Sequence, residues 1–226
     1  MSATETVERT AERTGVRRRA LRIQLGKGLI GVIAAFAILF DALGIFSILT
    51  GLFFINALAG DFESHQALSS LPQLLQADLR EGATADLTDL GFGVRVLCAL
   101  PTFVHLLTVL SATILVTRAI REIASGDPFT SRGIRAWAGL GVVLIVGGVL
   151  QGVLDTVAVR VLSTLARAMS FGDDAGGWPL GGDYSAVGID FPDWPWIFLA
   201  LGVVAGTIAV AFREGARLKS EADGVV

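Results

Sequence analysis

Four long apolar stretches, residues 28–59, 94–116, 136–154 and 196–212, dominate this chain and are separated by segments whose charge alternates in sign. A helix needs about 20 apolar residues to cross a hydrocarbon core about 30 Å thick. Each stretch is near or above that length except the last, which is slightly short. The pattern predicts an all-α fold, a bundle of four transmembrane helices. A water-soluble core that hides all four runs is disfavoured, because 226 residues with 53% hydrophobic side chains and a mean hydropathy of +0.66 exceed ordinary globular composition.

Basic side chains beside a span are retained on the cytoplasmic side, so their distribution predicts orientation. Arg9, Arg13, Arg17, Arg18, Arg19, Arg22 and Lys27 precede the first span. Arg118, Arg121, Arg132 and Arg135 link the second and third, and Arg213, Arg217 and Lys219 follow the fourth. The other two connections hold only Arg80, Arg95, Arg160 and Arg167 while carrying most of the aspartates. Both termini are therefore expected inside the cell membrane, with a basic cytoplasmic arm (1–26), a membrane domain (27–219) and a cytoplasmic tail (220–226). The formal net charge of -3 averages a basic inner face, suited to anionic lipid, with an acidic outer one. The bilayer is thus the first expected partner.

A cleaved secretory signal is disfavoured, although Ala57-Leu58-Ala59 has the small-residue character of a cleavage site. The first apolar run is about twice the usual signal core, and three more spans follow. The single cysteine, Cys98, lies within the second span, which excludes an internal disulfide framework.

Between the spans, residues 1–24 are too polar to order independently, and Arg17 to Lys27 read as a short basic helix against the inner leaflet. In the first outer connection, Leu68, Leu71, Leu74, Leu75 and Leu79 fall at helical spacing and predict an amphipathic helix. Residues 155–170 keep helical spacing beyond the third span. Gly176-Gly177-Trp178-Pro179 and Gly181-Gly182-Asp183 then predict an irregular loop, and Trp194-Pro195-Trp196 an interfacial start to the fourth span. On the inner side, Ser125-Gly126-Asp127-Pro128 predicts a helix stop, Thr130 or Ser131 a cap for the next helix, and Phe129 a fixed corner.

Asp41 is the residue least at home in a bilayer, where an aspartate costs about 2.5–3.5 kcal/mol at mid-span unless partnered or wet. Counting about 1.5 Å per residue from the inner boundaries puts Asp41 roughly 20 Å deep, His105 roughly 17 Å and Gln151 roughly 22 Å. The three fall in one layer, where Asp41 is positioned to accept a hydrogen bond from His105, with Gln151, Thr108 or Ser111 completing a polar cluster. Read structurally, the cluster fixes helix register. Read functionally, it responds to protons or contacts ions. Gly148-x-x-x-Gly152 and Gly202-x-x-x-Gly206 mark close helix approach, either within one chain or between copies in a homo-oligomer.

Catalytic signatures are missing. His65 and His105 lack zinc spacing, Cys98 has no adjacent histidine, and neither a phosphate-binding glycine loop nor a serine-hydrolase elbow occurs. No enzyme activity, cofactor, metal or direct nucleic-acid binding is expected.

Two segments carry a resemblance. Gly126-Asp127-Pro128-Phe129-Thr130-Ser131, with Gly141 downstream, resembles the G-x-P-F motif of the bacterial domain of unknown function numbered 2975. Phe212-Arg213-Glu214-Gly215-Ala216-Arg217-Leu218, followed by Glu221 and Asp223, is similar to that family's terminal signature. In the inner loop that follows the first segment, Gly133 and Ala136 depart from the family pattern, standing where an asparagine and an arginine are expected. The resemblance implies a four-pass bacterial membrane protein, often encoded beside a small helix-turn-helix transcription regulator. Its leading functional expectation is a regulatory or interaction protein that docks such a cytoplasmic partner through Gly126, Pro128, Phe129, Gly215, Leu218, Glu221 and Asp223. The alternative is a small transporter or channel subunit using the polar layer around Asp41 and His105.

Overall fold

The structure, a computed structural model, describes residues 3–125, 129–170 and 179–223, with side chains for 24–125, 129–168 and 179–222. Its elements run α1 (Ala3–Thr50), α2 (Phe54–Leu58), β1 (Leu74–Leu79), α3 (Phe92–Ala124), α4 (Ser131–Ser170), β2 (Tyr184–Ile189) and α5 (Trp196–Asp223). Four segments are long and apolar enough to cross a membrane: Gln24–Thr50, Phe92–Ala124, Ser131–Ala168 and Trp196–Ala222. The chain is a four-helix, multi-pass membrane protein. Leu29, Phe36 and Phe40 on α1 are more than half exposed, a face that lipid rather than water must cover.

The first span ends earlier than the apolar run. α1 stops at Thr50 because Gly51 takes φ +73°, a left-handed conformation that closes helices and suits glycine. A Cβ there would lie 2.5 Å from the Thr88 methyl. Gly51 N–H donates to Ser47 O at 2.8 Å, and Arg95 Nη1 donates to Leu49 O at 2.8 Å, so two of the last turn's carbonyls are satisfied. At its other end α1 reaches back to Ala3, where the sequence reading expected an unordered arm. Alanine, glutamate and arginine are good helix formers, and the span supplies the nucleus that an isolated segment lacks.

By contact density the chain divides into two compact units. The first comprises Met1–Ala37, Val109–Leu144 and Leu201–Val226. Within it, a Cβ on Gly141 would meet Gly202 O at 2.9 Å and Gly206 N at 3.0 Å, so α4 and α5 approach backbone to backbone. Small residues permit such contact where packing drives association in lipid. Thr130 caps α4 by accepting the Gly133 N–H at 3.0 Å, while its hydroxyl donates to Glu122 Oε2 at 2.9 Å.

The second unit comprises Ile38–Thr108 and Ile145–Ala200. Here Gly148 and Gly152 receive Leu199 and Trp194 of the same chain, with Cβ positions 3.1 and 2.7 Å from those side chains. The amphipathic helix expected over Leu68–Leu79 is not formed. Leu68–Ser70 is one 3-10 turn, Leu71 is extended as a residue before proline prefers to be, and β1 follows. Antiparallel β2 supplies its partner, with Leu74 opposite Ile189, Ala77 opposite Val187 and Leu79 opposite Tyr184. β2 begins just after Gly181-Gly182-Asp183; Pro179 lies in a turn and Gly181 and Gly182 in bends, as expected, while Gly176, Gly177 and Trp178 lie outside the described residues. Three of the five leucines still face inward: Leu68, Leu71 and Leu74 join Ile48, Leu87, Leu90, Cys98, Ala158, Leu162 and Leu180 in one buried cluster, with Leu79 partly buried against it and Leu75 exposed.

Asp86 starts the 3-10 turn Leu87–Asp89, accepting the Thr88 N–H at 2.7 Å, while its own N–H donates to Asp89 Oδ2 at 2.9 Å. Partial burial opposes its charge, but the bonds from Thr88 and the nearby His65 outweigh that and hold the carboxyl below its ordinary range.

Candidate functional site

Three spans and two connections of the second unit converge on one cavity. α1 brings Asp41, α3 brings His105, and α4 brings Gln151 and, one turn further, Asp155. Gln73 comes from the segment before β1, and Asp190 and Asp193 from that between β2 and α5. The cavity has a volume of about 570 Å³, within the size range of small-molecule sites.

His105 Nδ1 lies 2.7 Å from Asp41 Oδ2, at side-chain exposures of 30% and 14%. The carboxylate accepts, so Nδ1 carries the hydrogen. The imidazole also stacks on Phe198, with centroids 5.1 Å apart and planes 12° apart, which fixes its orientation. Gln151 lines the same cavity, yet its Oε1 is buried with no hydrogen-bond partner. Thr108 does not join the layer. Its hydroxyl donates to Val104 O at 2.8 Å, and a side chain at Gly147 would collide with it.

Asp155 was not among the residues singled out from sequence, although Gln151 and Asp155 stand four apart on one helix face. It is only 7% exposed. Gln73 Nε2 donates to its Oδ1 at 3.0 Å, and the Asp193 backbone N–H donates to its Oδ2 at 2.7 Å. Gln73 Nε2 also donates to Cys98 O at 3.3 Å. Two acceptors around that nitrogen set the amide orientation and leave Gln73 Oε1, in a residue 3% exposed, without a partner among the described residues.

The lining is therefore lopsided in charge. It holds the carboxylates of Asp41, Asp155, Asp190 and Asp193, with His105 as its one basic group and neither lysine nor arginine among the described residues. Low-dielectric walls around such a set focus a negative potential. Among the described residues, no trio of His, Cys, Asp or Glu is grouped to hold a metal ion.

Near the second cavity, lined by Arg80, Ser163, Arg167 and Tyr184, the Arg80 guanidinium pairs with Asp183 at 3.1 Å. The Tyr184 hydroxyl is pushed above its usual range by burial and by the charges of Asp89 and Asp86.

In the other unit, Phe129 stands edge-on to Phe212 at 5.9 Å, and Trp137 does so at 6.5 Å. A Cβ on Gly215 would lie 2.5 Å from Phe129 Cε1. Parts of the two family-like segments thus pack on each other. Leu218 is 59% exposed, and Glu221 pairs with Arg217 at 3.4 Å. Gly126 and Pro128 lie outside the described residues, as does the side chain of Asp223.

No family model, curated protein or solved structure matches the chain. Function must be read from the site itself.

Proposed function

We propose that this is a cell-membrane protein, both ends inside, that works as a small transporter or channel subunit with the Asp41–His105 pair as its proton-responsive element. The observation that carries the reading is the cavity of about 570 Å³ into which that pair opens. An ionisable pair within spans is expensive, and a neutral polar pair would set the register of α1 against α3 without that cost. Histidine is the side chain that changes charge nearest neutrality, so protonation would convert the pair from a net negative charge to a neutral one.

The full chain reconstituted in liposomes tests this. Movement of protons or of a small polar solute, lost in Asp41→Asn and in His105→Leu variants that keep their helix content, is the expected result. Folded protein that moves neither overturns the reading.

A second reading, docking of a cytoplasmic partner such as a helix-turn-helix regulator, is supported by the exposed Leu218 and the charged turn around it. It ranks behind because Phe129 and Gly215 already fit each other within the chain. Co-purification from mild detergent, wild type against Leu218→Ser, tests it. Equal recovery of such a regulator with both counts against docking through this turn, and recovery with neither counts against docking at all.

A further inference from the structure

The cavity's lining also bears on what occupies it. We propose that it binds a small organic cation bearing N–H donors, an alkylammonium or guanidinium group, with Asp155 as its anchor. This rests on the reading of the cavity as a solute site.

Three observations converge. The first is charge: among the described residues four carboxylates face one histidine and no lysine or arginine, so anions are repelled and cations concentrated. The second is the hydrogen-bond balance. A carboxylate offers about four acceptor positions, and among the described residues only two bonds reach Asp155, from Gln73 Nε2 and Asp193 N–H. Gln73 Oε1 and Gln151 Oε1 are buried acceptors lacking any donor, and buried polar groups in native proteins ordinarily have one. The surplus is of acceptors, so the missing component is a donor.

The third observation separates organic from inorganic cations. A bare ion needs several ligands closing on one point, and no trio of His, Cys, Asp or Glu side chains is grouped to do so among the described residues. The space, about 570 Å³, instead matches a molecule of several heavy atoms. Phe191 and the prolines Pro72, Pro101 and Pro192 supply apolar wall for its carbon skeleton.

Asp155 rather than Asp41 is the anchor. The Asp41 carboxylate is already engaged by the imidazole at 2.7 Å, whereas Asp155 is held rigidly by two donors and has no cationic partner among the described residues. Rigid, charged acceptors favour charged donors strongly.

Equilibrium dialysis of the full chain in lipid nanodiscs, against empty nanodiscs, tests the proposal with ethylammonium, guanidinium, tetramethylammonium, ethanol and acetate. Saturable binding of ethylammonium or guanidinium is expected, at least tenfold tighter than tetramethylammonium, which has no N–H, and weakened at least tenfold by Asp155→Asn. Because Asp155→Asn removes an acceptor for Asp193 N–H, a second variant guards against misfolding. Asp190→Asn with Asp193→Asn leaves both bonds to Asp155 in place and is expected to weaken ethylammonium at least threefold.

Ethanol or acetate binding as tightly as ethylammonium would overturn the cation assignment while leaving a solute cavity standing. Tetramethylammonium matching ethylammonium would overturn the N–H requirement. Binding of no probe by folded protein would overturn both this proposal and the cavity reading beneath it.

Discussion

Gly215 leaves the space that the Phe129 ring occupies: a Cβ at position 215 would sit 2.5 Å from Phe129 Cε1. The aromatic edge belongs to a side chain also held against Phe212, so it has little freedom to retreat. Gly215→Val should destabilise the protein by about 1–3 kcal/mol, the range for overpacking. Combining it with Phe129→Ala should recover part of that loss. Additive effects in a double-mutant cycle of thermal unfolding in detergent would show that the two residues do not couple.

Asp41 and His105 are predicted to respond asymmetrically. His105→Leu strips a carboxylate within the spans of its partner and should cost about 2–3 kcal/mol, near the penalty for a lone aspartate at a helix centre. Asp41→Asn removes the charge itself and should cost less. The double variant should be more stable than His105→Leu alone. Thermal unfolding at neutral pH reads all three, and equal losses for the two single variants would contradict the account.

Gly141 faces backbone atoms, Gly202 O and Gly206 N, rather than flexible side-chain ends. Even Gly141→Ala must push α4 and α5 apart locally, with an expected loss of about 1–3 kcal/mol. Gly206→Ala makes a useful control, since a Cβ there meets nothing within 4 Å and alanine favours helix. It should be neutral or stabilising.

Asp86 gives a pH signature. Its folded carboxyl titrates below its ordinary range, so its stabilisation is present above the unfolded value of about 3.9 and disappears as pH falls through the folded value. Asp86→Asn keeps a capping oxygen but removes the charge, and should cost about 1 kcal/mol at pH 7, the difference between hydrogen bonds to a charged and to a neutral acceptor. The gap to wild type should close in acid. A difference that stays constant from pH 7 to pH 3 would mean the bonds, not the charge, carry the effect.

The spans were legible because lipid leaves an unambiguous trace: uninterrupted apolar runs flanked by arginine. The depth count also put Asp41 and His105 in one layer, since rise per residue is fixed even when helix rotation is unknown. The sheet was hidden for two reasons. The spacing of Leu68, Leu71, Leu74, Leu75 and Leu79 fits a helix, and the partner that makes β1 a strand lies more than 100 residues away, with Leu74 opposite Ile189. Tertiary pairing overrides local pattern in such cases. Asp155 was hidden differently. It stands where a span meets its exit, a position at which aspartate needs no explanation until Gln73 and the Asp193 N–H are seen to converge on it.

The pairing of β1 with β2 also sets an order of assembly. β1 is synthesised before α3, but its partner emerges only after α4 is complete, so β1 waits without a neighbour while two helices are threaded into the bilayer. Contacts this distant along the chain are slow to form. The ribosome must finish three of the four spans before the ribbon can zip, which makes that ribbon a late milestone of biogenesis.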